Sequence, residues 1–468
     1  MSIVSMPFFG FVSCTIFVFY IVPKRIQNVV LLAASYGFCL TFGWPCFFLL
    51  LTSTVFNFLL PVFYSPGRRN PKNLWIVWLG VTVNLAGLIW LRRATLPSDV
   101  MEADSSLLTI SGVGMSFYTL SAIAYLVDVY RGQVTRVSNL LHFALFMAWF
   151  PKLLSGPIER VQVLLPQLTA SRIVDDQHVM QHLSLIFVGV FRKVVIANWL
   201  FALLPSNAWT QPDQFHTFEL IIFPFLFAVA VYNDFLGYMS IMRGVSGLFG
   251  IKLSRNFQLP LSSRSFTEFW TRWHITFSEW LRDYMFFPLT RYMLKRKLPP
   301  QSLAVISLPL LLTMLGSGLW HGFGWNFITW GAVIGCVQIG ERIHAVGRTQ
   351  ASIQVGSRLL YITAVLAVIP AAVCFNTSLS NTFDYCLALV EFSMKLYSRN
   401  RLAIFLLWLV PPLLANIVLD RMDESSDTRS VSTAFPAKLR PLAISVGVFL
   451  ILVVSQADSH PAFVYEEF

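Results

Sequence analysis

Two short stretches of the 468-residue chain hold the residue types that acid–base chemistry needs. The first, residues 256–290 (NFQLPLSSRSFTEFWTRWHITFSEWLRDYMFFPLT), sets Arg264, Glu268, Arg272, His274, Glu279, Arg282 and Asp283 among Phe266, Phe269, Trp270, Trp273, Phe277 and Trp280. Glu268/Arg272 and Glu279/Asp283 are four apart, so each pair shares one face of a helix. The second, residues 314–331 (MLGSGLWHGFGWNFITWG), puts His321 in an apolar run bracketed by Gly316, Gly318, Gly322 and Gly324. Imidazole, with a pKa near 6.5, accepts a proton at neutral pH, which suits it to general-base work. A histidine in an apolar segment also serves as hydrogen-bonded glue. The glycines favour the functional reading, because they let backbones approach closely around a polar group.

The elements that must position these groups follow from composition. Hydrophobic residues make up 56% of the chain and charged residues 12%, and the mean hydropathy is +0.65. Soluble domains carry roughly 25% charged residues. The chain is therefore expected to be all-α and polytopic in a membrane, because a helix satisfies its own backbone in lipid. Ten-residue alternating segments, the mark of a membrane barrel, are missing. Apolar runs near 8–22, 28–42, 45–64, 74–91, 138–155, 180–204, 218–240, 302–320, 325–341, 357–375, 402–420 and 441–456 predict 11–13 membrane helices. Residues 256–290 carry too much charge for a lipid-facing helix. They are expected to line a cavity, the alternative being an amphipathic helix at the interface.

Charge sets orientation. The formal net charge of +11 sits in short connections, the pattern of cytoplasmic loops and not of a nucleic-acid binder. Lys24/Arg25 and Arg68/Arg69/Lys72 flank a two-helix hairpin, which places both loops in the cytoplasm. The loop at 421–440, with Arg421, Arg429, Lys438 and Arg440, is cytoplasmic by the same rule, so the tail from Ser459 to Phe468 lies outside. Arg92/Arg93 run against this scheme. The segment Phe8 to Val22 reads as a first span, not as a removed signal. Six cysteines (Cys14, Cys39, Cys46, Cys336, Cys374, Cys386) lie in or beside apolar stretches with no CxxC pair, and read as packing. His178 and His182 are four apart without a third ligand, so no metal site is expected. Asp128 and Asp234 are expected to partner arginines, and Asn198, Glu159 and Arg160 to shape a tunnel or its mouth.

Five strings carry a resemblance: SFYTLSAIAYLVDVYRG (116–132), WFPKLLSGPIER (149–160), FRKVVIANWL (191–200), FTEFWTRWHITFSEWLRDYMFFPL (266–289) and LGSGLWHGFGWNFITWG (315–331). Together they resemble the membrane-bound O-acyltransferase family, in the bacterial branch that O-acetylates alginate. The resemblance implies one domain over 1–468, with a core near 110–345 and a C-terminal span and tail at 439–468. It implies spanning helices ringing a tunnel, with re-entrant and interfacial helices inside. It also implies an acyl group, usually acetyl from cytoplasmic acetyl-CoA, passed outward across the inner membrane for O-acetylation of an extracellular polysaccharide. Within that chemistry a hydroxyl loses its proton as it attacks a thioester.

Carried over by motif, the histidine of WHG is His321, which looks like the catalytic base, and that of RWH is His274, which looks like a positioning or stabilising partner. Oxyanion donors are expected from His274, Trp320 or backbone N–H groups near the glycines. Arg272, Arg282, Asp283 and Asn326 are expected along the tunnel with Trp320. No bound cofactor is implied; acetyl-CoA is a substrate. The implied partners are the bilayer, an acyl-CoA or acyl carrier on the cytoplasmic side, and a periplasmic acyltransferase. D-alanyl transfer from a carrier protein and polysaccharide export are the alternatives. Where the family often has Ser-Asp after Gly-Tyr, this chain reads GYMSIMRG (237–244), and TRYMLKRK follows Pro288-Leu289, leaving the polymer open. The run Arg291, Lys295, Arg296, Lys297 reads as an anchor on anionic lipid more than as a CoA phosphate site. The ending FVYEEF (463–468) resembles that of a small partner in the related D-alanylation system, which marks Tyr465 as a candidate acyl relay; the alternative is an interfacial aromatic anchor.

Overall fold

A computed structural model of the chain describes residues 2–64, 70–94, 114–170, 172, 176–345, 373, 376–390 and 410–420. Helix is the regular structure throughout these residues. In chain order the α-helices are α1 (Met6–Ile21), α2 (Lys24–Leu40), α3 (Trp44–Leu59), α4 (Leu74–Ala94), α5 (Met115–Arg131), α6 (Leu140–Ala148), α7 (Phe150–Leu153), α8 (Val161–Thr169), α9 (Asp176–Val190), α10 (Asn198–Ala202), α11 (Thr217–Leu248), α12 (Phe266–Arg272), α13 (Ile275–Leu281), α14 (Phe287–Lys295), α15 (Leu303–His321), α16 (Trp325–Ala345), α17 (Leu379–Val390) and α18 (Val410–Asp420). Two π-helical turns, Phe191–Ala197 and Arg282–Phe286, join α9 to α10 and α13 to α14.

Among the described residues five helices are long and apolar enough to cross a membrane: Trp44–Phe63, Pro71–Ile89, His178–Ala202, Thr217–Leu248 and Leu303–His321. Met6–Ile21 and Val410–Asp420 are shorter apolar helices. An all-helical, polytopic membrane protein follows. The apolar run expected to span at 138–155 is broken instead. Trp149 leaves helical geometry (φ −47°, ψ 109°) and Pro151 opens the short α7. Most of the run expected at 357–375, that at 441–456, the loop 421–440 and Tyr465 lie outside the described residues.

The chain divides into two compact units, one including Met1–Val190 and Tyr238–Arg255, the other Phe191–Gly237 and Asn256–Pro461. The first unit is knit by polar side chains that satisfy buried donors. The Trp149 indole donates to Ser246 Oγ (3.1 Å), the Phe150 N–H to Ser35 Oγ (3.2 Å) and the Ser155 N–H to Tyr238 Oη (3.1 Å). Glu159 is buried and accepts from the N–H (2.6 Å) and the hydroxyl (3.1 Å) of Ser254, a fixed structural bond and not a free carboxylate.

In the second unit α15 and α16 form an antiparallel hairpin, and glycine sets its closeness. A Cβ on Gly318 would collide with the Phe327 carbonyl, and one on Gly331 with the Met314 carbonyl. Small residues let the two backbones touch, as at membrane helix interfaces generally. A second feature is a buried polar knot. Arg192 donates to Asn233 and Asn416 (3.0 Å each) and to Asp420 (2.8 Å), which also accepts from Tyr232 Oη (3.1 Å). Beside it Lys193 pairs with Asp234. The expected arginine partner of Asp234 is thus a lysine, supplied by the π turn that sets two adjacent cations on separate acidic partners.

Candidate active site

The second unit brings the two motif histidines to one cluster of rings. Ser265 caps α12 by accepting from the Glu268 N–H (3.0 Å), while Glu268 accepts from the Arg264 N–H (2.7 Å). After α12 the chain turns sharply at His274, whose φ of 44° lies in the left-handed region that costs a non-glycine residue energy. Asn256 holds this turn in place. Its carbonyl accepts from the Ile275 N–H (2.8 Å), and its side-chain oxygen accepts from the N–H (3.1 Å) and hydroxyl (2.6 Å) of Thr276. The strained turn projects the imidazole inward. His274 is 2% exposed, against Phe235 and Phe277 (5.0 Å between ring centroids in each case).

His321 ends α15 and is 8% exposed. Its ring lies against Trp320 (4.7 Å) and Trp330 of α16 (5.1 Å), with Phe277 at 6.2 Å. Phe277 packs at a tilt on Trp320 at 4.4 Å, and Trp320 also faces His274 at 6.2 Å. The two imidazoles therefore flank one aromatic pair. Burial pushes the His274 imidazole down to about 3, so it stays neutral and can donate a single N–H.

What fixes α12 to the hairpin is Glu341 of α16. Its buried carboxylate accepts from the N–H groups of Phe266 (3.0 Å) and Thr267 (2.7 Å) and from the Thr267 hydroxyl. A carboxylate on the first turn of a helix meets its orphan donors and its dipole together. Sequence reasoning passed over Glu341, as it did Arg192. The available signal was a single acid in the last turn of an apolar helix, and a single arginine in FRK.

Beside this anchor opens a cavity of about 540 Å³, whose lining includes Trp270, Thr313, Met314, Glu341, Arg282 and Arg342. Trp270 lies 6.2 Å from Trp330, which in turn touches His321. Thr313 sits two turns before His321 on α15. Of the residues expected along a tunnel, Arg282 lines this cavity and Trp320 lies between the histidines. Arg272 pairs with Glu268 (2.6 Å), and Asp283 with Arg282 (3.0 Å), in partly exposed contacts at about a third to a half exposure. Glu279, expected to share a face with Asp283, lies 3.6 Å from Arg282. Asn326 is half-buried at the start of α16.

The sequence profile of the membrane-bound O-acyltransferase family matches residues 109–383, which hold both histidines, both glycine-lined helices and the cavity. The chain belongs to the membrane-bound O-acyltransferase family. This O-acyltransferase is 32% identical over 363 residues to the Azotobacter vinelandii protein named "Probable alginate O-acetylase AlgI", covering 73% of this chain and 69% of the relative. It is 28% identical over 323 residues to the peptidoglycan O-acetyltransferase of Helicobacter pylori, with 61% of this chain and 59% of that one aligned. With the teichoic acid D-alanyltransferase of Streptococcus thermophilus it shares 28% identity over 274 residues, 57% of this chain and 64% of the relative. The aligned part spans 62% of the Pseudomonas aeruginosa alginate relative.

Proposed function

We propose that this membrane O-acyltransferase passes acetyl from cytoplasmic acetyl-CoA across the inner membrane for O-acetylation of an extracellular or periplasmic polysaccharide. The observation that carries the reading is the pair His274 and His321 flanking the Phe277–Trp320 ring pair. His321 takes the proton of the acceptor hydroxyl as its oxygen attacks the thioester carbonyl. Neutral His274 donates its N–H to the oxygen that becomes negative in the tetrahedral intermediate. Collapse of that intermediate breaks the carbon–sulfur bond, and the CoA thiolate leaves. The cavity beside Trp270 supports a route for the donor, since Arg282 and Arg342 stand on its wall and would meet CoA phosphates. The acceptor is the polysaccharide itself or a periplasmic acyltransferase that relays the group, and Tyr465 would be a relay on that side.

The test uses purified full-length protein with radiolabelled acetyl-CoA in proteoliposomes. Release of free CoA together with transfer of label to an added polysaccharide or partner supports the reading. Intact thioester at long times would identify a transporter. Turnover only with a D-alanyl-loaded carrier protein would move the donor to that class.

A further inference from the structure

Cys39 stands next to last in α2 and Cys46 third in α3, on either side of the three-residue turn Thr41–Gly43, with their sulfurs 3.3 Å apart. Both are buried, whereas Cys14 and Cys336 are exposed. The approach does not depend on the thiols. Tyr36 of α2 packs on Phe47 of α3 (5.4 Å between centroids) and donates to Thr54 Oγ1 (3.4 Å). Phe38 lies on Phe42 at 5.3 Å, and the Gly43 N–H donates to the Leu40 carbonyl (2.9 Å). The hairpin register is thus set by neighbouring residues, and a disulfide, with sulfurs about 2.05 Å apart, needs only a small side-chain adjustment.

The compartment follows from charge. Lys24 and Arg25 begin α2, at the end of that helix opposite Cys39, and in the sequence Arg68, Arg69 and Lys72 come after α3. Trp44–Phe63, which begins beside Cys46, is long and apolar enough to cross a membrane, so the Thr41–Gly43 turn and Lys72 fall on opposite sides. With the basic loops cytoplasmic, the Thr41–Gly43 turn faces the outer, oxidising side, where disulfides form and persist.

We infer that Cys39 and Cys46 form a structural disulfide that staples the outer tip of the α2–α3 hairpin. The oxidant is a thiol–disulfide oxidase of that compartment. One cysteine thiolate attacks the oxidase S–S bond, releasing one oxidase thiol and leaving a mixed disulfide. The second cysteine thiolate attacks the sulfur of the first, closes the Cys39–Cys46 bond and expels the second oxidase thiol. Two electrons pass to the oxidase, and the protons of the two cysteines are released and taken up by its thiolates. Because both sulfurs are buried once the unit packs, the exchange belongs to the interval when the hairpin has inserted and its tip is still open. The staple holds the end of α2 whose Ser35 accepts from the Phe150 N–H and whose Phe38 contacts the Phe150 ring (5.7 Å), so it secures the seat of α7. This inference rests on the orientation read from the basic loops and goes beyond the acyl-transfer reading.

The test keeps the full-length chain in its membrane. Cells are quenched in acid, free thiols are alkylated under denaturing conditions, and the remaining thiols are reduced and alkylated with a second reagent. Trypsin has no site between Arg25 and Arg68, so both cysteines stay in one peptide. The expected result is the second label on Cys39 and Cys46 and the first label on Cys14 and Cys336. The unreduced peptide is expected two hydrogens lighter than its dithiol form. In Cys46→Ser, Cys39 is expected to change to the first label while acyl transfer stays within twofold. First-label alkylation of Cys39 and Cys46 to the extent of Cys14 would overturn the inference. So would retention of the second label by Cys39 in Cys46→Ser, since its bond would then be to another cysteine.

Discussion

His274 and His321, 47 positions apart in the chain, press on the same ring: Phe277 lies 5.0 Å from the first imidazole and 6.2 Å from the second. Trp320, packed at a tilt on Phe277 at 4.4 Å, completes the wall between them. Replacing either histidine leaves this wall standing, so chemistry and assembly can be separated.

His321→Ala is expected to lower acyl transfer by about 10²–10⁴, the usual contribution of a general base. Membrane abundance is expected to stay normal, because Trp320 and Trp330 still fill the wall. CoA release measured in membranes matched for protein level decides the matter, and near-normal turnover would remove His321 from the reaction.

His274 carries a pH signature. Its folded pKa of about 3 lies below the ordinary 6.5, so between these values the unfolded chain binds a proton that the folded one does not. Stability therefore falls as pH drops through that window, by up to about 1.4 kcal/mol per pH unit. His274→Gln keeps a donor and cannot titrate. Its melting temperature in detergent is expected to fall less steeply between pH 6.5 and 4 than that of the wild type, with turnover reduced at every pH. Parallel slopes would mean that His274 is not buried and neutral.

Glu341 ties α12 to the α15–α16 hairpin through two backbone N–H groups and one hydroxyl. Glu341→Ala leaves those donors without their acceptor and is expected to cost about 2–4 kcal/mol. Glu341→Gln, which retains one acceptor oxygen, is expected to cost less. Activity should follow the same order, since α12 carries the chain into His274. Melting curves and CoA release on the three proteins test this, and unchanged melting in the alanine variant would refute the anchor.

Two ion pairs in the same unit should respond differently to deletion. Asp420→Ala strands the buried Arg192 guanidinium and is expected to cost about 3–5 kcal/mol, enough to deplete the protein from membranes. Arg272→Ala breaks a partly exposed pair with Glu268, worth about 1 kcal/mol or less. Its abundance should stay near wild type. The sequence invited the opposite expectation for Arg272 and Asp283, because charges in an aromatic-rich segment read as buried. Quantitative immunoblots of membrane fractions distinguish the two cases.

Composition and periodicity by themselves determined that the chain is helical and membrane-embedded, since a run such as Leu303–His321 has one stable way to satisfy its backbone in lipid. They also singled out His321 among glycines and His274 among charges and rings as locally unusual. Only the tertiary structure decided which charges are buried. Arg192 and Arg272 look alike in sequence, yet one reaches Asp420, 228 positions away, and the other its own helix neighbour at i−4. Burial is a property of what packs over a side chain, and long-range packing leaves no local periodic signal. For the same reason Glu341 was illegible as the cap of α12, and Cys39 and Cys46 read as separate packing residues until the turn at Gly43 brought their sulfurs together.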